Sequence, residues 1–361
     1  QAPTVCANVA ASILGMSIEN IDVEVMMLGG GFGRRACVDF VKEALYIAQK
    51  YPNIPVQVIW TREDDMTLGY YRPQGTCRVK GAIDENGEVV AVYSHLVTQI
   101  VFPDMRDSLG GMFPIAIPPK FRQKVVDATV GVMSTSTMMG FFEGGEIVAS
   151  PYDIPHFRAD FTPIRTQVPV TAWRSVAHSY STFILETFLD QLIQTGKRNA
   201  RKGSQNDPIE IRKKMLSKHP RHVAVLESAI ENSGWNKPIE KGWGRGVAIS
   251  EFAGTVVAQV AEAGIVNDQI VVRHITCATE CGIVVNPDIV KMQIESGIVY
   301  GLSMIHEKIE LVDGVVQQRN FDTFPVLRMN QTPEIKTILL PSDNKPTGIG
   351  EIALPPVNAA V

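Results

Sequence analysis

Three short segments of this 361-residue chain carry residue types and spacings that could do chemistry. Residues 29–35 read GGGFGRR, residues 172–175 read AWRS, and residues 348–351 read GIGE. They combine glycine turns with arginine, an aromatic residue and one carboxylate. These are the residue types of a cofactor-binding loop, a cleft-lining loop and an acid–base group, and each segment also has a plain structural explanation.

The glycine-rich segment lets the backbone approach a flat or phosphate-bearing ligand, because glycine has no side chain. A predicted helix follows it, and unpaired N–H groups at a helix N-terminus favour an anion. The segment is not the dinucleotide-binding fingerprint, since Arg34 stands where that pattern needs its last glycine, and no Gly-Lys-Ser/Thr ends it as in a P-loop. The guanidinium groups of Arg34 and Arg35 can each donate two parallel hydrogen bonds to a phosphate group. The loop is therefore a structural turn or a loop for an anionic cofactor.

Glu351 is a lone carboxylate between a glycine turn and the apolar run 352–356. Desolvation makes a carboxyl group a better proton acceptor near neutral pH, so Glu351 could act as a general base. The alternative is a solvated loop glutamate. Arg174 follows an aromatic residue at a predicted strand-to-helix joint and could reach a cleft, and its alternative is a surface or packing role.

The elements that must position these segments alternate between helix and strand. Helices are predicted at 3–15, 38–50, 178–196, 207–217, 220–232 and 287–304. Strands are predicted at 21–28, 55–61, 76–84, 88–100, 156–165, 244–251, 255–262 and 334–340, with hairpin tips at Asn86-Gly87, Asn267-Asp268 and Asp313-Gly314. Residues 101–150 have no clear period and are predicted as a long loop or short helices. The pattern indicates an α+β fold of two mixed lobes, 1–170 and 171–361.

Composition excludes several classes of protein. Apolar residues make up 45% of the chain and charged residues 20%, as in a globular protein. The 34 basic and 38 acidic side chains give a net charge of −4, which argues against a nucleic-acid partner. Five widely spaced cysteines argue against a disulfide framework, and Cys277 and Cys281 are predicted to be small buried residues. No secretion signal is found, which leaves periplasm and cytoplasm both open.

Taken in order, these segments resemble the molybdenum-cofactor-binding large subunit of the xanthine oxidase family of molybdenum hydroxylases. The nearest branch is the bacterial isoquinoline 1-oxidoreductase β-subunit type, which includes aldehyde-oxidising members. The resemblance rests on the joint order of GGGFGRR with DFVKEA, WTREDD at 60–65, YYRPQ at 70–74, AWRSVAHS at 172–179, CATECGIVVNPDIVKMQIESGIVYGLS at 277–303, NFDTFPVLRM at 320–329 and GIGE at 348–351.

The resemblance implies hydroxylation of an aldehyde or N-heteroaromatic carbon with water as the oxygen source. It implies that Glu351 is the base at the metal and that Arg174 is a second catalytic residue. No side chain is expected to ligate the metal. The implied cofactor contacts are Gly30, Gly31, Phe32, Gly33, Arg34, Trp173, Ser175 and Gly350. Arg34-Arg35 replaces the Gly-Lys of xanthine oxidases proper, which argues against a purine substrate.

The resemblance also implies partners. The cofactor would be molybdenum–molybdopterin, in the cytosine dinucleotide form. The chain has no iron–sulfur cysteine pattern, so electrons would pass to a small [2Fe–2S] subunit and then to a membrane cytochrome. The family's large subunit is much longer, so an upstream half with a Met-Gly-Gln-Gly segment is expected, and the helix after Pro-Pro is expected to be missing.

Two alternatives remain at this point. The chain is a cofactor-free, degenerate paralogue acting as a binding or structural module, or it is a nicotinamide-dependent oxidoreductase. The first is disfavoured because GGGFG, Arg174 and Glu351 are intact. The second lacks the last glycine of its fingerprint, and Asp39 comes too early to bind a ribose.

Overall fold

The computed structural model describes residues 1–106, 119–133, 143–199 and 207–361. Its helices are α1 Pro3–Leu14, α2 Asp39–Ala48, α3 Arg62–Leu68, α4 Pro119–Met133, α5 His178–Asn199, α6 Pro208–Met215, α7 Pro220–Ser233, α8 Pro287–His306 and α9 Pro355–Ala360. Its strands are β1 Gly75–Ile83, β2 Val89–Gln99, β3 His156–Ile164, β4 Trp243–Phe252, β5 Thr255–Val266, β6 Gln269–Glu280, β7 Leu311–Val312, β8 Val315–Val316 and β9 Glu334–Leu339. The predicted α+β class is confirmed.

Helix ends follow from local sequence. The side chains of Asp207 and Asn286 each accept hydrogen bonds from two backbone N–H groups at the starts of α6 and α8, and proline follows each of them. A short polar acceptor before a proline is a favoured way to begin a helix. Gly15 ends α1 in the left-handed conformation, with φ of 66°, and its N–H bonds to the carbonyl of Ala11. These three predicted boundaries are confirmed.

Two main sheets organise the chain. In the first, of order β1-β2-β3, β1 and β2 form an antiparallel hairpin and β3 runs parallel to β2. In the second, of order β4-β5-β6-β9, the first three strands are antiparallel and β9 runs parallel to β6. The connection from β6 to β9 carries α8, so this helix crosses over the second sheet.

The second sheet is covered on both faces because its side chains alternate in direction. Val247 and Ile249 of β4 belong to one buried core with α5, α6, α7 and β2. Ala248 between them belongs to the other core, with α8 and α9. The first core joins elements on both sides of residue 170, and the division into lobes at that residue stays a prediction.

Two predicted strands are wrong. Residues 21–28 and 55–61 form no strand, although the first alternates in hydrophobicity and the second is an apolar run that begins at Pro55. Among the described residues neither segment has a ladder partner, and Met27 and Leu28 at the end of the first are exposed. Alternation favours an extended backbone, but a strand also needs a neighbour for its hydrogen bonds.

The C-terminal expectation is also corrected. Residues 355–360, expected to lack a helix, form α9, which begins at Pro355 and buries Val357 and Ala360 in the second core. Within 101–150, where a long loop or short helices are predicted, the structure has the 15-residue α4 and a short 3-10 helix at Gly145–Ile147. Residues 107–118 and 134–142 lie outside the described residues.

Candidate functional site

The three segments predicted to carry chemistry meet in the structure. The glycine loop at 29–35 lies against the AWRS loop so closely that a Cβ on Gly33 would overlap the carbonyl of Ala172. The AWRS loop in turn bonds to the GIGE loop, since Nε of Arg174 donates to the carbonyl oxygen of Gly350 at 2.7 Å. Segments more than 100 residues apart in sequence thus form one site.

The glycine loop presents open backbone donors. Gly30 has φ of 145° and Gly33 has φ of 91°, values that side-chain-bearing residues rarely adopt. The N–H of Gly33 donates to Oε1 of Gln1 at 3.1 Å. The N–H groups of Gly30, Gly31 and Phe32 make no hydrogen bond within the described part of the chain. These three N–H groups are donors that a ligand could use, although the Phe32 ring lies against Gly30 and the Gln1 side chain lies against Gly31.

Arg34 is already paired. Its Nη1 and Nη2 donate to the two carboxylate oxygens of Asp39 at 3.0 and 2.9 Å, and Asp65 lies 3.7 Å away. Burial opposes the charge, but the contacts with Asp39 and Asp65 together outweigh it and raise the pKa of Arg34. Both Nη atoms of Arg34 already donate to Asp39. Bidentate hydrogen bonds from Arg34 to a phosphate group would therefore compete with Asp39. Its assignment as a cofactor contact stays a prediction.

Arg174 is buried and ties three elements together. Besides Gly350, it donates from Nη1 to Oγ of Ser296 at 2.9 Å and from Nη2 to the carbonyl of Gln293 at 3.1 Å. Burial lowers the pKa of Arg174, and the charge of Glu351 partly opposes this. Every guanidinium nitrogen thus donates within the protein. This geometry gives Arg174 a positioning role, holding the AWRS and GIGE loops on α8.

Ser175 holds Glu351 from two sides. Its N–H donates to Oε1 of Glu351 at 3.3 Å, and its hydroxyl donates to the Glu351 carbonyl at 2.6 Å. Ser175 and Val176 have φ of 73° and 41°. Positive φ costs a β-branched residue on the order of 1–3 kcal/mol, and such strain clusters at functional sites. Oε2 of Glu351 accepts no hydrogen bond within the described ranges.

The GIGE loop rests on the second sheet. The N–H of Gly348 donates to the carbonyl of Ala253 in the β4–β5 turn at 3.1 Å, and the N–H of Thr347 donates to the carbonyl of Cys281 at 3.0 Å. Directly after Glu351 the chain enters the core, where Ile352 and Leu354 are fully buried. The half-buried carboxylate therefore projects from a loop that is fixed at both ends.

An aromatic stack, formed by Phe32, Tyr300 and Trp173, connects the loops through α8. The ring centroids of Phe32 and Tyr300 are 4.5 Å apart, and those of Tyr300 and Trp173 are 5.2 Å apart. The rings are nearly parallel in both pairs. Arg174 lies over the Phe32 ring at 5.9 Å, and Arg72 lies over the Trp173 ring at 5.5 Å. An arginine therefore closes each end of the stack.

Sequence reasoning missed the contribution of α8. Gln293, Ser296 and Tyr300 are three and four residues apart, so they share one face of this helix. That spacing was a usable signal, because polar residues on one stripe of an apolar helix face something polar. Arg72 was also missed, since a single arginine beside tyrosines has no distinctive pattern.

The prediction that Cys277 and Cys281 are buried is confirmed. All five are free thiols, and Cys37, Cys277 and Cys281 are buried. Burial raises the pKa of Cys277 to about 12, so it is a thiol at neutral pH. Across the described ranges there is no group of three or more His, Cys, Asp and Glu side chains that could hold a metal ion. No helix among these residues is long and apolar enough to cross a membrane.

Comparison with known proteins gives matches along the chain. Two sequence families, each described as a molybdopterin cofactor-binding domain, match it, one at residues 1–108 and the other at residues 218–333. The isoquinoline 1-oxidoreductase subunit beta of Brevundimonas diminuta is 31% identical over 368 residues, covering all of this chain and 43% of that protein. The membrane-bound aldehyde dehydrogenase (pyrroloquinoline-quinone) of Gluconacetobacter polyoxogenes is 28% identical over 363 residues, covering 93% of this chain and 43% of that protein.

A solved structure shows the same fold. The quinoline 2-oxidoreductase from Pseudomonas putida 86 matches with a TM-score of 0.76 and 13% sequence identity, over 99% of this chain and 67% of that one. At this identity the likeness concerns the fold alone. The chain spans less than half the length of the two relatives named above, so what those whole proteins do is a separate question.

Proposed function

This chain belongs to the molybdopterin cofactor-binding family of the molybdenum hydroxylases, and on that premise we propose that it supplies the base and one wall of the cofactor site. The reaction is hydroxylation of an aldehyde or N-heteroaromatic carbon, with water as the oxygen source. One observation carries the proposal. A carboxylate with one oxygen held by Ser175 and the other unpaired stands in the same site as a glycine loop with open N–H groups.

The residues present suit a flat, anionic cofactor. The N–H groups of Gly30, Gly31 and Phe32 are the donors that would bind it, and Gly29 leaves open space where a side chain would project. Trp173 and Gly350 stand beside them. When bound, a molybdenum–molybdopterin cofactor supplies the two-electron oxidation that no side chain can perform. The cytosine dinucleotide form is the one we propose.

Glu351 acts by accepting a proton at Oε2. Ser175 fixes Oε1 and the backbone of the same residue, so the carboxylate keeps one orientation, while Oε2 accepts no hydrogen bond from the described residues. Arg174 acts through this arrangement, because it anchors the neighbouring Gly350. A base held in place by neighbours that do not themselves react is the usual design of such sites.

Two kinds of partner complete the proposal. Two electrons taken from the substrate must leave, and the chain has no iron–sulfur cysteine pattern, so a small [2Fe–2S] subunit accepts them and a membrane cytochrome follows. The remaining part of a longer large subunit covers the extended segments 21–28 and 55–61, whose backbone groups have no ladder partner among the described residues.

The experiment is purification of the full-length protein from its native host, followed by metal analysis and an isotope assay. We expect molybdenum and iron to co-purify with it. Hydroxylation of an N-heteroaromatic carbon, which carries no exchangeable oxygen, in water enriched with heavy oxygen should place the label in the hydroxylated product. A protein without molybdenum would favour the cofactor-free binding module, and an unlabelled product would contradict the proposed reaction.

A further inference from the structure

The first sheet carries a cavity of about 690 Å³, lined by residues 80–82 of β1, 91–93 of β2 and 155–158 at the start of β3. This volume is within the range of roughly 300–1,000 Å³ for small-molecule sites. Val92 belongs to the first core, and a Cβ on Gly81 would meet Leu192 of α5, so these two positions face α5. Because side chains alternate along a strand, their neighbours face the other way, onto the outer face of the sheet.

The floor of the cavity is apolar and low. On the outer face Ala82 of β1 lies directly opposite Ala91 of β2, and Ala91 lies opposite His156 of β3. Opposite residues of neighbouring strands have Cβ atoms about 4.5–5.5 Å apart, so the two methyl groups form one small apolar surface. Longer side chains surround it, and the apolar part of a ligand can pack on the methyl groups.

Two cations stand along one side of this floor. In the next row Lys80 lies opposite Tyr93, and Tyr93 lies opposite Arg158. A spacing of about 4.8 Å between strands separates the backbones of Lys80 and Arg158 by about 10 Å, so both long side chains can reach one anion between them. The guanidinium of Arg158 lies over the Tyr93 ring, 5.7 Å from its centroid, and is therefore turned toward the middle of the row.

The acidic groups near the cavity already have partners. Asp160 accepts hydrogen bonds from Nε and Nη2 of Arg158 at 3.1 and 3.0 Å and from the Tyr93 hydroxyl at 2.9 Å. Three carboxylates at the borders are bonded to their own turn, to Lys214 and to Lys218, in the order Asp84, Glu88 and Asp153. Glu85 is exposed at the hairpin tip and does not line the cavity.

Positive charge is therefore left over at this place. No Asp or Glu is among the described residues that line the cavity. Within the described ranges Lys80 makes no ion pair, and Nη1 of Arg158 donates no hydrogen bond. Arg78, one row further along the same face, adds a second cation of β1. A charged donor beside an apolar floor suits a molecule that is apolar at one end and anionic at the other.

We propose that this cavity binds a small molecule with an apolar body and an anionic head. The body packs on Ala82 and Ala91, and the head is held by Lys80 and by Nη1 of Arg158. A carboxylate and a phosphate group share the required chemistry. None of the described residues that line the cavity belongs to the candidate site, so this inference does not rest on the proposed function.

NMR of alanine methyl groups in the 361-residue chain tests the proposal, because two of these methyl groups form the floor. The chain is titrated separately with benzoate, with phenyl phosphate and with neutral benzyl alcohol. The signals of Ala82 and Ala91 should shift to saturation with benzoate, with phenyl phosphate or with both. Benzyl alcohol should bind about tenfold more weakly or less, since it cannot make the charge-assisted hydrogen bonds.

Two variants with matched controls locate the binding. Lys80→Gln should weaken binding of the anion by about tenfold or more, whereas Lys237→Gln, in the exposed loop after α7, should bind like the wild type. Ala91→Leu fills the hollow and should abolish the shift of Ala82. Val97→Leu, on the same face of β2 but outside the cavity, should leave that shift unchanged.

The outcomes separate the possibilities. A response to benzoate alone supports a carboxylate-bearing ligand, a response to phenyl phosphate alone supports a phosphate-bearing one, and a response to both supports the shared chemistry. The proposal is overturned if neither anion shifts Ala82 and Ala91, if benzyl alcohol binds as tightly as the anions, or if Lys80→Gln binds like the wild type. Unchanged signals from the other alanines show that a variant is folded, and Lys80→Gln decides alone if Ala91→Leu is not.

Discussion

Replacing Arg174 with methionine removes the group that joins the AWRS loop, α8 and the GIGE loop. The variant keeps a long, unbranched side chain in the buried space but cannot donate. The carbonyls of Gly350 and Gln293 and the hydroxyl of Ser296 then lose their donor. A hydrogen bond donated by a charged group is worth about 1.5–3 kcal/mol, and a buried acceptor left unsatisfied costs about 1–3 kcal/mol.

Because three such bonds are lost together, we expect Arg174→Met to lower the free energy of unfolding by about 3–5 kcal/mol, a large part of the total of roughly 5–15 kcal/mol for a typical protein. Urea unfolding of the 361-residue chain, followed by circular dichroism, measures it. Arg174→Lys keeps the positive charge but has a single nitrogen, so its free energy of unfolding should lie between those of the wild type and Arg174→Met. Arg78→Met, on an exposed strand position, should stay within about 0.5 kcal/mol of the wild type. A loss that small for Arg174→Met would refute the positioning role.

Two further predictions concern stability. Gly33→Ala adds a Cβ that overlaps the Ala172 carbonyl at a φ of 91°, so it should lower the free energy of unfolding by about 1–3 kcal/mol. Gly29→Ala places its Cβ in open space and should lower it by less than half as much in the same urea assay. Burial raises the pKa of Glu146 to about 8, so the folded chain binds a proton that the unfolded chain releases. Glu146 should then make the free energy of unfolding fall between about pH 5 and about pH 8, contributing at most about 1.4 kcal/mol per pH unit, and Glu146→Gln should remove that share of the slope; the buried carboxyls of Glu143 and Glu186, whose pKa values burial raises to about 7, contribute further shares. An unchanged slope in the variant would contradict this reasoning.

Much of the fold could be predicted because its signals are local. Asp207 and Asn286 before prolines, and the Asn86-Gly87 and Asn267-Asp268 turns, fix ends and tips within a few residues. Whether an extended segment joins a sheet could not be predicted in the same way. Segment 21–28 has a strand's alternation, but whether it pairs depends on chain that is distant in sequence.

The site was predictable in outline for a different reason. Glycine turns, an arginine and a carboxylate have distinctive chemistry even when they are scattered in sequence. What each arginine does depends on its neighbours in space. Arg34 faces Asp39 and Arg174 faces two carbonyls and a hydroxyl, and neither partner set follows from the spacing of residues. For the same reason the sequence did not predict that Tyr300 stacks on Phe32.

The most direct test of the central claim is the turnover of Glu351→Gln in the full-length enzyme. Glutamine has nearly the same shape as glutamate, and its amide oxygen and backbone carbonyl can accept the two hydrogen bonds from Ser175. Unlike a carboxylate, its amide group does not accept a proton near neutral pH. The account predicts a loss of about 10²–10⁴-fold in kcat with molybdenum content and folding unchanged. Glu231→Gln, an exposed glutamate on α7, should turn over as the wild type does. Turnover of Glu351→Gln within a few-fold of the wild type would contradict the assignment of the base.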